Sequence, residues 1–93
     1  MKYQIEVTNS FKKAYKIISK RGYDKSKLQN VIDLLAKGEQ LPEKYKDHSL
    51  KGSYAGHREC HIEPDWLLVY KKIEDILVLV LIDTGTHSDL FKM

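Results

Sequence analysis

The sequence predicts an α+β fold in which helices pack on one face of a mostly antiparallel sheet. An N-terminal segment alternates apolar and polar residues, two segments have the apolar spacing of helices, and three later segments have the character of strands. The order strand, helix, helix and then a meander of strands is typical of this class. The chain has 93 residues, which predicts a single domain over residues 1–93.

The first half is predicted to contain one strand and a pair of helices. Residues 3–7 alternate as a strand does. Capping residues and an apolar stripe over residues 11–18 predict a helix that ends at Gly22. A second helix is predicted to begin near Asp24 or Ser26. Because only a short turn separates them, the two helices are expected to pair antiparallel.

The second half is predicted to form three strands after a polar, irregular stretch over residues 39–53. These strands are expected at residues 58–63, 66–72 and 76–82. The last strand is apolar at every position, so we expect both of its faces to be covered. Residues 83–93 have room for one short helical turn.

The composition argues against membrane and secreted proteins. No apolar run is long enough to span a bilayer, and the N-terminus lacks the apolar core of a signal peptide. The single cysteine, Cys60, has no partner for an intramolecular disulfide, which fits a reducing compartment. We therefore expect a cytoplasmic protein with no membrane partner.

Positive charge is concentrated in the first half of the chain. Residues 1–51 carry 12 Lys/Arg and 6 Asp/Glu, whereas residues 52–93 carry 4 and 7. A basic face of this kind attracts nucleic-acid phosphates or an acidic protein. A run of lysines is also typical of an ordinary solvated helix face. Charge alone leaves both interpretations open.

The tripeptide Asp83-Thr84-Gly85 is the one that carries the catalytic carboxylate of aspartic proteases. A retroviral-type protease needs a long β-rich segment after this tripeptide, and here only eight residues follow Gly85. The helices predicted in the first part of the chain also disagree with that fold. We interpret Asp83 as a turn residue at the end of a buried strand.

Histidines provide the strongest functional signal. His61 and Asp65 lie close together across a predicted bend, and His87 follows the last predicted strand, while His48 precedes the sheet. Imidazoles and a carboxylate on one face suit general acid–base chemistry near neutral pH. A metal site with His57 and His61 as ligands on one strand face is the rival interpretation. No zincin-type spacing supports it, and it stays open as an alternative.

Three blocks of sequence resemble the YafQ branch of the RelE-like bacterial toxins. Residues 46–53, KDHSLKGS, resemble its KDHPLxGS segment, and residues 61–70, HIEPDWLLVY, resemble its HVEPDWILIY strand pair. Residues 84–91, TGTHSDLF, resemble its TGTHxxLF ending. The blocks occur in the same order along the whole chain. Departures such as Ser49 in place of a proline and Glu59 in place of an aspartate remove no expected catalytic group.

The resemblance implies a ribosome-dependent endoribonuclease of a toxin–antitoxin pair. Such a toxin contacts rRNA in the ribosomal A site and cleaves the mRNA there. A cognate antitoxin, expected to be a small acidic protein of the DinJ/RelB type, neutralises it. Carried over by motif, the catalytic residues are His48, His61, Asp65 and His87. Trp66 and Phe91 match positions that help to hold the RNA, and Arg58 is a candidate for neutralising a phosphate.

A ribonuclease of this kind needs no metal or other cofactor. The ribose 2′-OH attacks the adjacent phosphorus and leaves a 2′,3′-cyclic phosphate and a 5′-OH, which requires a base, an acid and positive charge. We expect His87 to be the acid. Asp65 is expected to be the base, assisted by His61 or His48. The alternative function is a catalytically inactive module of the same fold that binds RNA or the ribosome.

Overall fold

A mixed five-stranded sheet forms the centre of the molecule. The computed structural model describes residues 2–91. The strands are β1 (Gln4–Val7), β2 (His48–Ser49), β3 (Arg58–Glu63), β4 (Trp66–Ile73) and β5 (Val78–Gly85), in the spatial order β1-β5-β4-β3-β2. β1 runs parallel to β5, and the other neighbouring strands are antiparallel. The predicted α+β class is confirmed.

Two helices, α1 (Asn9–Lys20) and α2 (Lys25–Ala36), pack on one face of the sheet. Gly22 lies in the turn between them with a φ of 81°, a left-handed conformation that glycine adopts without steric cost. A third helix, α3 (His87–Phe91), follows β5 where one helical turn was expected. None of the helices within residues 2–91 is long and apolar enough to cross a membrane.

Polar side chains determine where the two long helices begin. Thr8 Oγ1 accepts a hydrogen bond from the backbone N–H of Phe11 at 3.0 Å and donates one to the carbonyl of Ile82 at 2.6 Å. These bonds tie the start of α1 to β5. Asp24 accepts a hydrogen bond from the backbone N–H of Ser26 at 3.0 Å, so Asp24 is the cap of α2 and Ser26 lies inside the helix.

The hydrophobic core lies between these helices and the sheet. Leu28 from α2, Cys60 from β3 and Trp66 from β4 are all buried in it. Trp66 packs edge-on against Tyr23, with ring centroids 4.9 Å apart. Its indole N–H donates a hydrogen bond to Thr84 Oγ1 at 3.0 Å. Both the ring and the polar atom of Trp66 therefore have partners inside the protein.

The start of the last strand was predicted wrongly. Ile76 and Leu77 lie in the turn between β4 and β5, and their exposures are 66% and 41%. Leu77 has a φ of 52°, which no strand residue adopts. The strand begins at Val78. Because the apolar run continues through the turn, hydrophobicity could not mark the boundary between them.

The segment between α2 and β3 is more regular than expected. It contains β2, in which His48 lies opposite Glu59 of β3. Single turns of 3₁₀-helix at Glu43–Tyr45 and Gly52–Tyr54 stand on either side of β2. A strand of two residues is too short to show alternation, which is why the pattern could not reveal it.

Cys60 provides a test of the core. It is fully buried, and burial raises the pKa of its thiol to about 12. Since the thiolate is the reactive form, we expect iodoacetamide at about pH 8 to leave the folded protein unmodified and to label Cys60 after unfolding in urea. Mass spectrometry measures both products. Equally fast labelling of the folded chain would contradict the buried position.

Candidate active site

Three histidines meet on the face of the sheet opposite α1 and α2. In β3, Cys60 and Ile62 point into the core, so His61, which lies between them, points to the other face. The rings of His48 and His61 have centroids 6.3 Å apart, and those of His61 and His87 are 5.7 Å apart. The structure therefore brings together three histidines from β2, β3 and α3. His57 lies in another environment, edge-on to Tyr54.

Asp65 holds His87. Its Oδ1 accepts a hydrogen bond from the backbone N–H of His87 at 3.0 Å and lies 2.6 Å from Nδ1 of the same residue. The pKa of the Asp65 carboxyl is lowered first by the hydrogen bond from the backbone N–H of His87 and then by the contact with its ring. Nδ1 of His87 then carries its proton toward Asp65, which leaves Nε2 for a substrate. A carboxylate with a lowered pKa takes up a proton less readily, so Asp65 fits the role of orienting His87 better than the expected role of base.

The other two imidazoles are also held through Nδ1. In His48 this atom lies 2.8 Å from the carbonyl oxygen of Lys46, and in His61 it lies 3.4 Å from the carbonyl oxygen of Pro64. Lys46 has a φ of 48°, in the left-handed region that residues with side chains rarely adopt. Because a carbonyl can only accept, both Nδ1 atoms act as donors. Nε2 of each ring is left to face the site.

Glu59 lies between these two rings. Its Oε1 is 3.4 Å from Nε2 of His48 and 3.7 Å from Nε2 of His61. The Glu59 side chain is only 6% exposed, and its Oε2 has no hydrogen-bond partner within the described residues. A buried carboxylate therefore faces Nε2 of both imidazoles.

Sequence reasoning did not select Glu59 as a site residue. The alternation of β3 placed it on the polar face together with His61. A glutamate on such a face is usually solvated, and nothing in the local pattern indicates burial. Its burial depends on β2, the short strand that places His48 opposite Glu59.

Arg58, which was expected to neutralise a phosphate, is engaged elsewhere. Its Nη2 pairs with Asp47 Oδ2 at 2.9 Å, and its Nη1 donates to Ser49 Oγ at 3.1 Å. Tyr70, buried in β4, donates its hydroxyl to Asp47 Oδ1. Burial, followed by this hydrogen bond, raises the pKa of Tyr70. These contacts hold both chain neighbours of His48, so Arg58 positions the segment that carries this histidine.

Only one of the two aromatic residues expected to hold RNA is accessible. Phe91 is half-buried and lies edge-on to Tyr54, with ring centroids 5.8 Å apart. Tyr54 is 39% exposed, and the sequence had not singled it out. Trp66 is only 1% exposed, so the geometry gives no support to the prediction that it contacts RNA. Its place in the sequence, at the start of an apolar strand, suited a core residue equally well.

An ion pair anchors the helix that carries His87. Arg21 Nη1 lies 2.7 Å from Asp89 Oδ2, which also accepts a hydrogen bond from the backbone N–H of Thr86 at 2.9 Å. The Arg21 contact, as the largest cause, holds the pKa of Asp89 well below its usual range. A lowered folded-state pKa means that this stabilisation is present above the unfolded pKa. It is lost only when the pH falls through the folded value.

No three His, Cys, Asp or Glu side chains within residues 2–91 are grouped so that they could hold a metal ion. Nδ1 of His57 instead lies 3.2 Å from the carbonyl oxygen of Tyr54. The pair of His57 and His61 weighed from the sequence as metal ligands therefore finds no support in the geometry.

Substituting Tyr70→Phe tests the network that holds His48. The change removes the hydroxyl that donates a hydrogen bond to the partly buried carboxylate of Asp47. We expect it to lower the free energy of unfolding, measured by urea titration, by about 1–3 kcal/mol. Tyr15→Phe is the matched control, because Tyr15 lies on the exposed surface of α1. Equal stability of the two variants would contradict the role given to Tyr70.

Comparison with known proteins identifies the family. The family described as "Bacterial toxin of type II toxin-antitoxin system, YafQ" matches residues 3–92. The chain is 42% identical over 88 residues to the mRNA interferase toxin YafQ of Escherichia coli K12, which is 94% of each chain. It also superposes on a chain of the E. coli DinJ–YafQ complex with a TM-score of 0.88 and 41% identity, over 96% of this chain and 98% of that one.

A second solved structure, a metal-bound toxin from Helicobacter pylori, superposes with a TM-score of 0.90 and 44% identity, over 96% of this chain and 99% of that one. The resemblance seen in the three sequence blocks is thus confirmed over nearly the whole chain. This chain belongs to the YafQ family of bacterial toxins of type II toxin–antitoxin systems.

Proposed function

We propose that this chain is an mRNA interferase, a ribosome-dependent endoribonuclease that cleaves mRNA in the ribosomal A site and so inhibits translation. The observation that carries the proposal is the gathering of three histidines and two carboxylates on one face of the sheet. This set can supply a base, an acid and positive charge to one phosphodiester. The E. coli relative, at 42% identity, bears the name mRNA interferase toxin.

His87 is the general acid. Asp65 holds Nδ1 of its ring, and the His87 side chain is 39% exposed, so Nε2 can reach a substrate. In the reaction, Nε2 donates a proton to the 5′-oxygen as the phosphorus–oxygen bond breaks. The downstream RNA leaves with a 5′-OH.

The base belongs to the cluster of His48, Glu59 and His61. The His48 side chain is 50% exposed whereas that of Glu59 is 6% exposed, so His48 is the group that a ribose can reach. Nε2 of His48 takes the proton of the 2′-OH, and Glu59 stabilises the imidazolium that forms. His61 lies between the other two rings and provides positive charge to the phosphorane oxygens. The 2′-oxygen closes on phosphorus to give the 2′,3′-cyclic phosphate, with no metal or other cofactor.

The remaining surface suits RNA and the ribosome. Tyr54 and Phe91 form an aromatic pair beside the site on which an unpaired base can stack. Exposed lysines of the two long helices provide sequence-independent contacts to rRNA phosphates. They include Lys12, Lys13, Lys16, Lys20 and Lys25.

A cognate antitoxin, a small acidic protein, would neutralise this toxin in the cytoplasm. In E. coli, DinJ forms a complex with YafQ. This chain has an apolar groove of about 480 Å³ beside the edge strand β1, with Phe11 and Tyr15 in its wall and Lys12, Lys16 and Lys25 around it. An acidic segment with one apolar face would match both the groove and its charge.

Loss of the proposed acid is the first test of the function. Inducing the wild-type chain in cells should arrest growth and create new mRNA 5′ ends within translated regions, whereas His87→Ala should do neither. Removing a general acid typically lowers the rate by about 10²–10⁴-fold. Lys37→Ala is the control, because this residue lies on the exposed surface outside the site. If the wild-type chain produced no new ends, the inactive binding module would be the better interpretation.

The pH dependence of mRNA cleavage on purified ribosomes tests whether His87 is the general acid. A general acid must be protonated, so the rate of the wild-type chain should fall on the alkaline side of its profile. His87→Ala should lose this alkaline fall and keep the acidic one. A variant that kept both limbs would contradict the assignment of His87.

Glu59→Gln tests the base cluster, because it removes the charge and keeps the shape. The rate should drop by at least about tenfold, because the variant offers no negative charge to the imidazolium that forms on His48. Glu39→Gln, on the exposed surface, is the control. An unchanged cleavage rate for Glu59→Gln would rule out its role.

A further inference from the structure

A pocket of about 480 Å³ adjoins the candidate active site beside His61. Its walls come from α2, from the segment before β2 and from the end of β3, and include Lys27, Asn30, Lys44, Tyr45, Lys46 and His61. The volume lies within the roughly 300–1,000 Å³ typical of pockets for small ligands. The catalytic steps described above use no residue of this pocket except His61.

The pocket carries a positive charge that its own carboxylate does not balance. Lys27 Nζ pairs with Glu63 Oε2 at 2.7 Å, and Glu63 is the one acidic residue in the pocket wall within the described part of the chain. Within residues 2–91, Lys44 and Lys46 form no ion pair. Two ammonium groups without a carboxylate partner favour an anionic ligand such as a phosphodiester.

An aromatic ring lies beside these charges. Tyr45 is half-buried and packs against the hydrophobic core, which holds its ring in place. Lys44 Nζ lies 5.1 Å from the centre of this ring. A positively charged wall combined with a fixed aromatic side chain is how proteins hold unpaired nucleotides. Asn30 adds an amide that can both donate to and accept from a base.

The pocket and the catalytic cluster share structural parts. His61 lines the pocket and also stands between His48 and His87. Lys46 also lines the pocket, and its backbone carbonyl accepts a hydrogen bond from His48 Nδ1. These two shared residues place the pocket next to the histidines.

We propose that this pocket is the subsite for the nucleotide adjacent to the cleaved phosphodiester. Lys44 and Lys46 bind the neighbouring phosphate, and Tyr45 packs against the base. The proposal rests on the ribonuclease function proposed above and adds to it a second point of contact with single-stranded RNA.

Binding of an uncleavable RNA tests the subsite independently of catalysis. The probe is a fluorescent tetranucleotide with 2′-O-methyl groups, which lacks the attacking hydroxyl, and fluorescence anisotropy measures its affinity at several salt concentrations. The double variant Lys44→Gln and Lys46→Gln should bind it at least tenfold more weakly. The slope of log affinity against log salt concentration should become shallower by about 0.7 for each phosphate that the variant no longer neutralises.

The control variant carries Lys37→Gln and Lys71→Gln, which removes the same charge from exposed positions outside the pocket. It should keep both the affinity and the slope of the wild-type chain. An equal loss of affinity in the control would overturn the subsite, because it would show that only net charge matters. Failure of the wild-type chain to bind the probe even at low salt would also overturn it.

The ribonuclease function and the subsite can fail separately. Cleavage of messages in cells without pocket-dependent binding of the probe would retain the ribonuclease and reject the subsite. Pocket-dependent binding without any cleavage would reject the ribonuclease and overturn the assignment to a cleaved phosphodiester, because the pocket would then be only a binding site for single-stranded RNA. A double variant that bound RNA normally and lost only an acidic protein partner would assign the pocket to that partner and overturn the proposal.

Discussion

The arrangement of the site depends on the alternation of side chains along β3, a strand that must bury one face against the helices. Cys60 and Ile62 enter the core, and this obliges Glu59 and His61 to face the other way. A shift of register by one residue would exchange these two pairs and place charged groups in the core. The hydrophobic packing that stabilises the fold therefore also determines which face carries the histidines.

The histidines on that face share one mode of support. Each ring has an oxygen acceptor at Nδ1, from the carbonyl groups of Lys46 and Pro64 for two of them and from the carboxylate of Asp65 for the third. Each Nε2 is thereby left to face the site. Such fixed orientation lowers the reorganisation needed when charge develops in a transition state. The buried carboxylate of Glu59 adds the one negative charge that two of these rings share.

Polar groups outside the cluster stabilise the segments that carry it. The contacts of Asp47 with Arg58 and Tyr70 hold the segment around His48, and the pair of Arg21 with Asp89 holds α3. Both connections join parts of the chain that are far apart in sequence. The face that carries the histidines is therefore supported at both of its ends by contacts with distant parts of the chain.

The sequence by itself determined the class of fold, the two long helices and the histidines that form the site. These features depend on local periodicity, on capping residues and on short motifs, all of which can be recognised within about ten residues. It also placed Phe91 beside the site. It missed β2, and it placed both ends of β5 wrongly. The start was wrong because an apolar run passes through the turn at residues 76–77, and Asp83, interpreted as a turn residue, lies inside the strand, which continues to Gly85.

The tertiary structure decided the roles of individual side chains, because their partners come from distant parts of the chain. Asp65 is 22 positions from His87, so its use as a hydrogen-bond acceptor for that ring could not be seen locally. Trp66 is a core residue because its ring packs against Tyr23 and its indole N–H donates a hydrogen bond to Thr84. Glu59 became a buried charge because β2 places His48 opposite it. The alternation of apolar and polar residues along the sequence determines which face of the sheet a side chain occupies. Its accessibility and its contacts depend on neighbours that come from distant parts of the chain.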